Sequence, residues 1–490
     1  MTKLSENKKF YMVILISFLI MILVGRIPPF GAMTPFGMQL LGVFVGCIFG
    51  WLFSIIIPVS LMGIAVTGLV VNGQTVDSMM TSVQSLNMVL MVFWAFLFVY
   101  TLDKCELLEF ITNKIMGVKL CSKSPWHVAV AMWICTMICS GVSASSFASA
   151  ILMFSVWYHV ADKIGAYKAS AYTSFVMVGI AGIAMISIGM VPYAGNIFLS
   201  LSFMSAVVPD TEYNILSICA VNFCVVLFVV VLMAILFKVL INANIIKVEF
   251  SMENTGAIFE GKAEFSTKVK WGFFYIALLL VLMLLPSFLP EDNAIKAFLG
   301  RIGTLGMFVV VVTLMCLTSV KGERLLDLEQ AFKEGAVKWQ VYFMMGTALA
   351  VSGLLMTDDA GLSQTIQDAM GSMVEGMSIY VLCLVFIAIG LALTNCITNS
   401  VAMQLIIPIL AIFMAAKGVN PSTIAGLTGI ILVFGLILPS GSPLGAFIHG
   451  LVEWIEPKKC YVYTAVMAIC VILSVAIVGI PLALALTPDM

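Results

Sequence analysis

Apolar residues run through this chain in long blocks that do not alternate, and polar residues gather in a few short clusters between and inside them. The blocks fall at 10–25, 36–56, 57–72, 87–103, 127–140, 147–160, 170–190, 214–242, 271–289, 303–319, 339–356, 379–393, 400–416, 423–438 and 461–485. A helix needs roughly 20 apolar residues to cross a bilayer, whereas membrane strands alternate over runs of about 10. The pattern therefore predicts an all-α polytopic membrane protein with about 11 transmembrane helices. The blocks outnumber those crossings, and several are too short or too broken to span alone. The stretches 127–160 and 379–416 are expected to be re-entrant hairpins, each turning at its polar centre.

The sharpest polar clusters lie where charge is scarcest. From Gly376 to Val452 the one Lys, Arg, Asp or Glu is Lys417, yet this stretch holds Thr394, Asn395, Thr398, Asn399, Ser400 and the run Pro439, Ser440, Gly441, Ser442, Pro443. Unpaired polar groups are costly inside a membrane, so amides, hydroxyls and helix breakers there point to a cavity or binding site. The first half echoes this. A cluster from Ser140 to Ser146, with Ser149 beyond it, precedes a break at Gly189 to Pro192. Ser145 to Gly189 is 44 residues and Thr398 to Gly441 is 43. Two broken segments at matched spacing predict two inverted repeats with a transport site at their interface.

The chemistry follows from interrupted helices. A helix that starts inside the protein exposes backbone N–H groups and the positive end of its dipole, which hold an anion without a fixed positive charge. Carbonyls at the preceding helix end, with nearby hydroxyl and amide oxygens, suit a small cation such as Na+. Thr398, Asn399, Ser400, Ser442 and Pro443, with Ser145 and Ser146 in the first half, are the candidate substrate-binding residues. Ser143, Gly189, Asn395, Asn399 and Gly441 are the candidate cation-binding residues, and Phe147, Pro192, Tyr193 and Asn196 shape the pocket. The competing reading for each hydroxyl and amide is plain helix–helix packing.

Composition narrows the class. The chain is 62% hydrophobic and 10% charged, against about 25% charged for a soluble domain. Its net charge of −1 and the lack of a basic arm argue against nucleic acid. The 12 Cys lie mostly in apolar runs with no ligand spacing to the 3 His, and the 33 Met are scattered, so packing explains both and no transition-metal site is expected. No acidic residue stands mid-span in the clusters, which disfavours a carboxylate proton relay. Asp358, Asp359, His127 and His159 border apolar blocks and read as interfacial.

Lys3, Lys8 and Lys9 precede the first apolar run without a small-residue cleavage site after it, so that run reads as an uncleaved span with a cytoplasmic N-terminus. Lys-bearing segments 103–126, 243–270 and 320–338 also face the cytoplasm on this reasoning, while 209–212, 290–292, 358–359 and the tail Asp489–Met490 face outside. The expected division is 1–126, first span and first-repeat scaffold; 127–242, first-repeat transport region; and 243–270, cytoplasmic linker. The second repeat then has scaffold helices at 271–338 and a transport region at 339–452, followed by a C-terminal span at 453–490.

With these residues in view, the chain resembles the divalent-anion/sodium symporter family, which includes bacterial dicarboxylate and citrate carriers. The segment Trp339 to Val351 resembles that family's lead-in to its second hairpin. Thr398-Asn399-Ser400 stands where the family carries a Ser-Asn-Thr triplet, with Pro408 at the matching distance. The run Leu438 to Pro443 resembles its Pro-x-Gly-Thr-Pro break, Ser442 taking the Thr position. The resemblance implies contacts to a carboxylate and to sodium for Thr398, Asn399, Ser400, Gly441, Ser442 and Pro443. It also implies a homodimer whose transport domain moves elevator-fashion against a scaffold. The first half departs: Ser145-Ser146-Phe147 replaces the triplet, and Gly189 to Tyr193 replaces Gly-Thr-Pro-Pro-Asn, with Asn196 later.

The expected function is secondary transport of a small organic anion, most simply a C4-dicarboxylate such as succinate or malate, by sodium symport in a bacterial-type inner (plasma) membrane. The alternatives are a sodium-independent exchanger, a carrier of a monocarboxylate, sulfonate or sulfate, and, with less support, a channel. An enzyme is not expected, because no catalytic acid, base or metal set converges in the sequence.

Overall fold

A computed structural model of the chain describes residues 3–53, 55–85, 87–116, 123–209, 211–248, 265–290, 293–355, 357–362, 364–365, 368, 376–439 and 441–487. Ser440, Asp210, Glu291, Asp292, Lys119, Lys262, most of the 243–270 linker and Asp489–Met490 lie outside the described residues. The architecture is helical, with one short antiparallel hairpin pairing Ser319–Val320 with Glu323–Arg324.

The first half holds α1 (Lys3–Val24), α2 (Pro35–Leu52), α3 (Ile56–Val70), α4 (Val76–Ser85), α5 (Asn87–Lys104) and α6 (Leu107–Met116). It continues with α7 (Pro125–Ser143), α8 (Ser146–Ile164), α9 (Ala171–Ser187), α10 (Gly195–Ser205) and α11 (Ile215–Asn242). The second half has α12 (Thr267–Leu284), α13 (Ala294–Leu317), α14 (Leu328–Lys333) and α15 (Trp339–Leu355). After these come α16 (Ile379–Thr394), α17 (Asn399–Ala416), α18 (Ser422–Ile431), α19 (Pro443–Gly450), α20 (Pro457–Ser474) and α21 (Ile480–Leu486).

Among the described residues, 6 helices are long and apolar enough to cross a membrane, or 7 if α4 and α5, bent by 49°, make one span. Two of the 6, α7 and α17, are interior rather than lipid-facing: 67% of each is buried inside the protein, against 17% for α1 and 39% for α11. Both are hairpin limbs. α7 ends at Ala144, whose φ of 48° turns the chain into α8, and α16 turns into α17 across 395–398. In each hairpin the two limbs pack on one another. The polar centres of 127–160 and 379–416 are where the chain turns.

Each hairpin is followed by a broken helix. α9 stops at Ser187 and the chain resumes as α10 at Gly195; α18 stops at Ile431 and resumes as α19 at Pro443. α9 is buried from Tyr172 to Ser187 and α18 along its whole length, as expected of helices apolar all round. The halves then interlock. α10 packs on α17 and α18, while α19 packs on α8 and α9. Outside this centre, α1, α2, α3 and α15 form one cluster, and α5, α12 and α13 form another.

The second break differs from the sequence expectation, which ran an apolar span to 438 and placed the break at Pro439 to Pro443. The helix ends seven residues earlier. Pro439 cannot donate an N–H to Gly435 O, but the larger cause is that side chains from elsewhere hold the carbonyls that a continued helix would use.

Candidate functional site

Five successive carbonyls of the unwound segment each accept from a side chain. The Thr394 hydroxyl lies 2.5 Å from Leu432 O, Asn399 Nδ2 donates to Val433 O at 3.0 Å, and Asn395 Nδ2 donates to Phe434 O at 3.2 Å. Ser442 Oγ donates to Gly435 O at 2.6 Å, and His449 Nε2 meets Leu436 O at 3.1 Å. Asn395 also takes the Ile437 N–H on Oδ1 at 2.8 Å and donates to Leu391 O at 2.8 Å. The segment is thus pinned to the second hairpin's turn, and its backbone is satisfied without helix. Gly435 is required there. A Cβ on it would lie 2.7 Å from Gly441 O and 2.9 Å from Asn399 Oδ1.

These contacts change the reading of several candidates. Asn395, Asn399 and Ser442 act first as braces. Ser442 additionally accepts from Gly445 N at 2.9 Å as the cap of α19. Asn399 Oδ1 shares the Thr394 proton at 2.8 Å, leaving that oxygen lone-pair capacity for one more partner. Gly441 is buried in the brace, and Pro443 is exposed at the start of α19.

The first half is built the same way with fewer amides. Ser143 Oγ pairs with Ser149 Oγ at 2.8 Å and accepts from Ser145 N at 3.2 Å, closing the turn on itself. Gly189 O accepts from Asn222 Nδ2 at 2.8 Å, and Ser140 Oγ donates to Ala184 O. Tyr193 is fully buried and its hydroxyl donates to Val142 O at 2.7 Å, so it braces the hairpin rather than offering a hydroxyl to a pocket. Pro192 is buried beside it in the break. Phe147, 41% exposed, turns its ring to Phe447 of α19 at 5.9 Å.

What remains is a set of groups without a partner among the described residues. The hydroxyls of Ser145, Ser146, Thr398 and Ser400 are half-buried and have no side-chain partner among the described residues. Ser145 and Thr398 are the N-caps of α8 and α17, and neither side chain caps its helix. By contrast α7, α9, α11, α12, α13 and α16 are each capped by a side chain. Two long helices therefore begin at the hairpin turns with first-turn N–H groups that no cap covers, flanked by unused hydroxyls. Asn196, at the equally uncapped start of α10, has a buried Nδ2 without a partner among the described residues. This arrangement suits an anion.

Sequence reasoning placed Thr394 in the polar cluster without giving it a role, and missed His449 and Gln404. Gln404 of α17 is 2% exposed and both of its amide atoms lack partners among the described residues; a lone amide in an apolar helix was the available signal. It also found no converging sulfur groups, whereas Cys135 and Cys139 stand 3.9 Å apart, with the Thr112 hydroxyl 3.6 Å from Cys139 and 3.9 Å from Met153 Sδ. All four are buried, and among the described residues no three His, Cys, Asp or Glu could hold a metal ion.

The chain is similar in part to known transporters. It is 28% identical over 112 residues to the sodium-dependent high-affinity dicarboxylate transporter 3 of Caenorhabditis elegans, covering 23% of this chain and 19% of the relative. It is 27% identical over 198 residues to the sodium-dependent dicarboxylate transporter SdcS of Staphylococcus saprophyticus, covering 39% and 35%. The chain thus spans about a fifth to a third of the length of these curated relatives. No family model matches it. Among solved structures, the YdaH transporter of Alcanivorax borkumensis aligns over 92% of this chain and 99% of its own, at 13% identity and TM-score 0.57. MtrF of Neisseria gonorrhoeae, described within a class of antimetabolite efflux pumps, aligns over 96% and 94% at 13% identity and TM-score 0.54. The fold is the one these two structures share, and the relatives and structural neighbours are transporters, not enzymes.

Proposed function

We propose that this chain is a secondary carrier for a small organic anion, most simply a C4-dicarboxylate such as succinate or malate, driven by sodium. The observation that carries the reading is the pair of uncapped helix starts at the two hairpin turns, with the unpartnered hydroxyls of Ser145, Ser146, Thr398 and Ser400 around them. Two such ends match two carboxylates. The relatives named as sodium-dependent dicarboxylate transporters support the same substrate class. Sodium would lie beside Asn395, Asn399 and Gly441, where the Asn399 oxygen and unwound carbonyls are close, with Ser143 and Gly189 as the first-half counterpart.

The same reading gives eleven crossings: α1, α2, α3, α5, α9 with α10, α11, α12, α13, α15, α18 with α19, and α20 with α21, the hairpins entering without crossing. The interlocked centre would move against the outer helices as an elevator, in a homodimer within the plasma membrane, its N-terminus cytoplasmic. A second reading, sodium-independent exchange, is favoured by Phe147, which stands where the resemblance calls for a hydroxyl.

The test is uptake of labelled succinate into proteoliposomes, with and without an inward sodium gradient and with or without succinate inside. Sodium-driven uptake into empty vesicles supports symport. Uptake only into preloaded vesicles supports exchange. No uptake in either arm overturns the dicarboxylate assignment.

A further inference from the structure

A cavity of about 800 Å3 lies apart from the hairpin turns, bounded by α10 and the start of α11 on one side and by the end of α12 and the first half of α13 on the other. α11, α12 and α13 each present to it the end opposite the one that joins a Lys-bearing segment. Lys-rich connections face the cytoplasm, so the cavity belongs to the outer side.

Its floor is aromatic. Phe198 of α10 lines it, and the Phe198 ring meets Phe308 at 5.8 Å, next to the lining residue Met307. Phe308 meets Phe98 at 6.4 Å, and Phe98 meets Tyr193 at 5.1 Å. Tyr193 in turn is bonded to Val142 O beside the first hairpin turn. All four rings are fully buried. A run of four touching rings therefore leads from the cavity to the first hairpin turn, and Asn196 stands two positions before Phe198 on the same helix. Above the rings the wall is open. α13 kinks at Gly303, and a Cβ at Gly300 would meet nothing within 4 Å. Lys296 is the cationic side chain among the lining residues and Glu212 the acidic one.

Resting on the carrier reading above, we infer that this cavity is the outer entry vestibule for the anion. The rings of Phe98, Tyr193, Phe198 and Phe308 are the barrier that parts before the anion reaches the hairpin turns.

The test places a thiol in the cavity with Gly300→Cys and treats sealed, right-side-out cells with a membrane-impermeant trimethylammonium methanethiosulfonate. The wild-type protein, with its own cysteines, is the control. The expected result is modification from outside that lowers anion uptake to background in the variant and leaves wild-type uptake intact. Should Gly300→Cys not fold, Ala297→Cys on the same wall takes its place. Complete modification with unchanged uptake makes the cavity a water-filled crevice off the anion's path and overturns the vestibule; no modification at all makes it a lipid-filled crevice and overturns it too. Modification only after permeabilisation overturns it as well. No anion uptake by the wild-type protein overturns the carrier reading itself, and the vestibule with it.

Discussion

The side-chain oxygen of Asn395 accepts the backbone N–H of Ile437 at 2.8 Å across 42 positions of chain, so the turn of the second hairpin holds the unwound segment in place. The same amide donates to Leu391 O and Phe434 O. Removing it strands buried backbone groups, each at about 1–3 kcal/mol. Asn395→Ala is expected to lower Tm in detergent and abolish uptake together. An unchanged Tm would mean that the segment is held by other contacts.

The unpartnered hydroxyls should behave in the opposite way. Thr398→Val, Ser400→Ala, Ser145→Ala and Ser146→Ala break no internal hydrogen bond among the described residues. Each is expected to leave Tm unchanged and to raise the KM for the anion. A hydrogen bond to a charged group contributes about 1.5–3 kcal/mol, on the order of tenfold or more in affinity. Asn399→Ala, by contrast, should lose both binding and stability, because Asn399 Nδ2 also holds Val433 O. A fall in Tm with unchanged KM for the hydroxyl variants would mark them as packing residues.

The two broken helices touch at Gly189 and Ile430. A Cβ on Gly189 would lie 1.8 Å from Ile430 Cγ2, and Ile430 is fully buried. Gly189→Ala is expected to destabilise through overpacking, by about 1–3 kcal/mol or more. Ile430→Ala alone removes buried volume at about 2–5 kcal/mol. The double variant should cost less than the sum, because each change relieves the other. Strict additivity in thermal unfolding would separate the two residues.

Much of this arrangement was legible in the sequence because a bilayer imposes one rule on every segment. Long apolar blocks had to be helices, and a turn had to fall within Ser140 to Ser146 and within Thr394 to Ser400 because polar groups there need partners or solvent. The break after Ser187 was visible through Gly189 and Pro192. The start of the second break was not, because its cause lies elsewhere in the chain: Thr394, Asn395 and Asn399 bind carbonyls that no local propensity would free. For the same reason the candidate residues could be gathered but not sorted. Ser400 and Asn399 are neighbours in one motif, and only packing makes one a free hydroxyl and the other a brace. Tyr193 likewise could be placed at the pocket but not given its role as a brace, since Val142 O, which takes its hydroxyl, lies 51 positions away.

Outside the membrane-spanning helices, Glu334 follows α14 and receives Lys104 Nζ at 2.7 Å, Gln330 Nε2 at 2.7 Å and the Tyr100 hydroxyl at 2.9 Å. These donors hold its carboxyl down to about 2. A carboxyl depressed in the folded state contributes stability above its ordinary pKa and loses it as pH falls toward the folded value. The group is exposed, so the effect is small. The Tm gap between wild type and Glu334→Gln is expected to be flat from about pH 8 to 5.5 and to close below about 4.5. A gap that widens on acidification would reverse the sign of the argument.

Phe147 offers a test between the two proposed coupling schemes. Its ring sits against Phe447 at 5.9 Å, and Phe154 meets the same ring at 6.0 Å, so α8 and α19 are joined through an aromatic trio beside the first hairpin turn. Phe147→Thr restores a hydroxyl at the helix start and gives up one aromatic contact, about 0.5–1.5 kcal/mol. Because Phe154 still holds Phe447, the variant should fold with a modest fall in Tm. If the ring has displaced a cation site, uptake by the variant becomes steeper in sodium than wild-type uptake, or becomes sodium-dependent where wild type was not. An identical sodium response in both proteins, at matched expression, would remove Phe147 from the coupling mechanism and leave Asn395, Asn399 and Gly441 as the place to look for the cation.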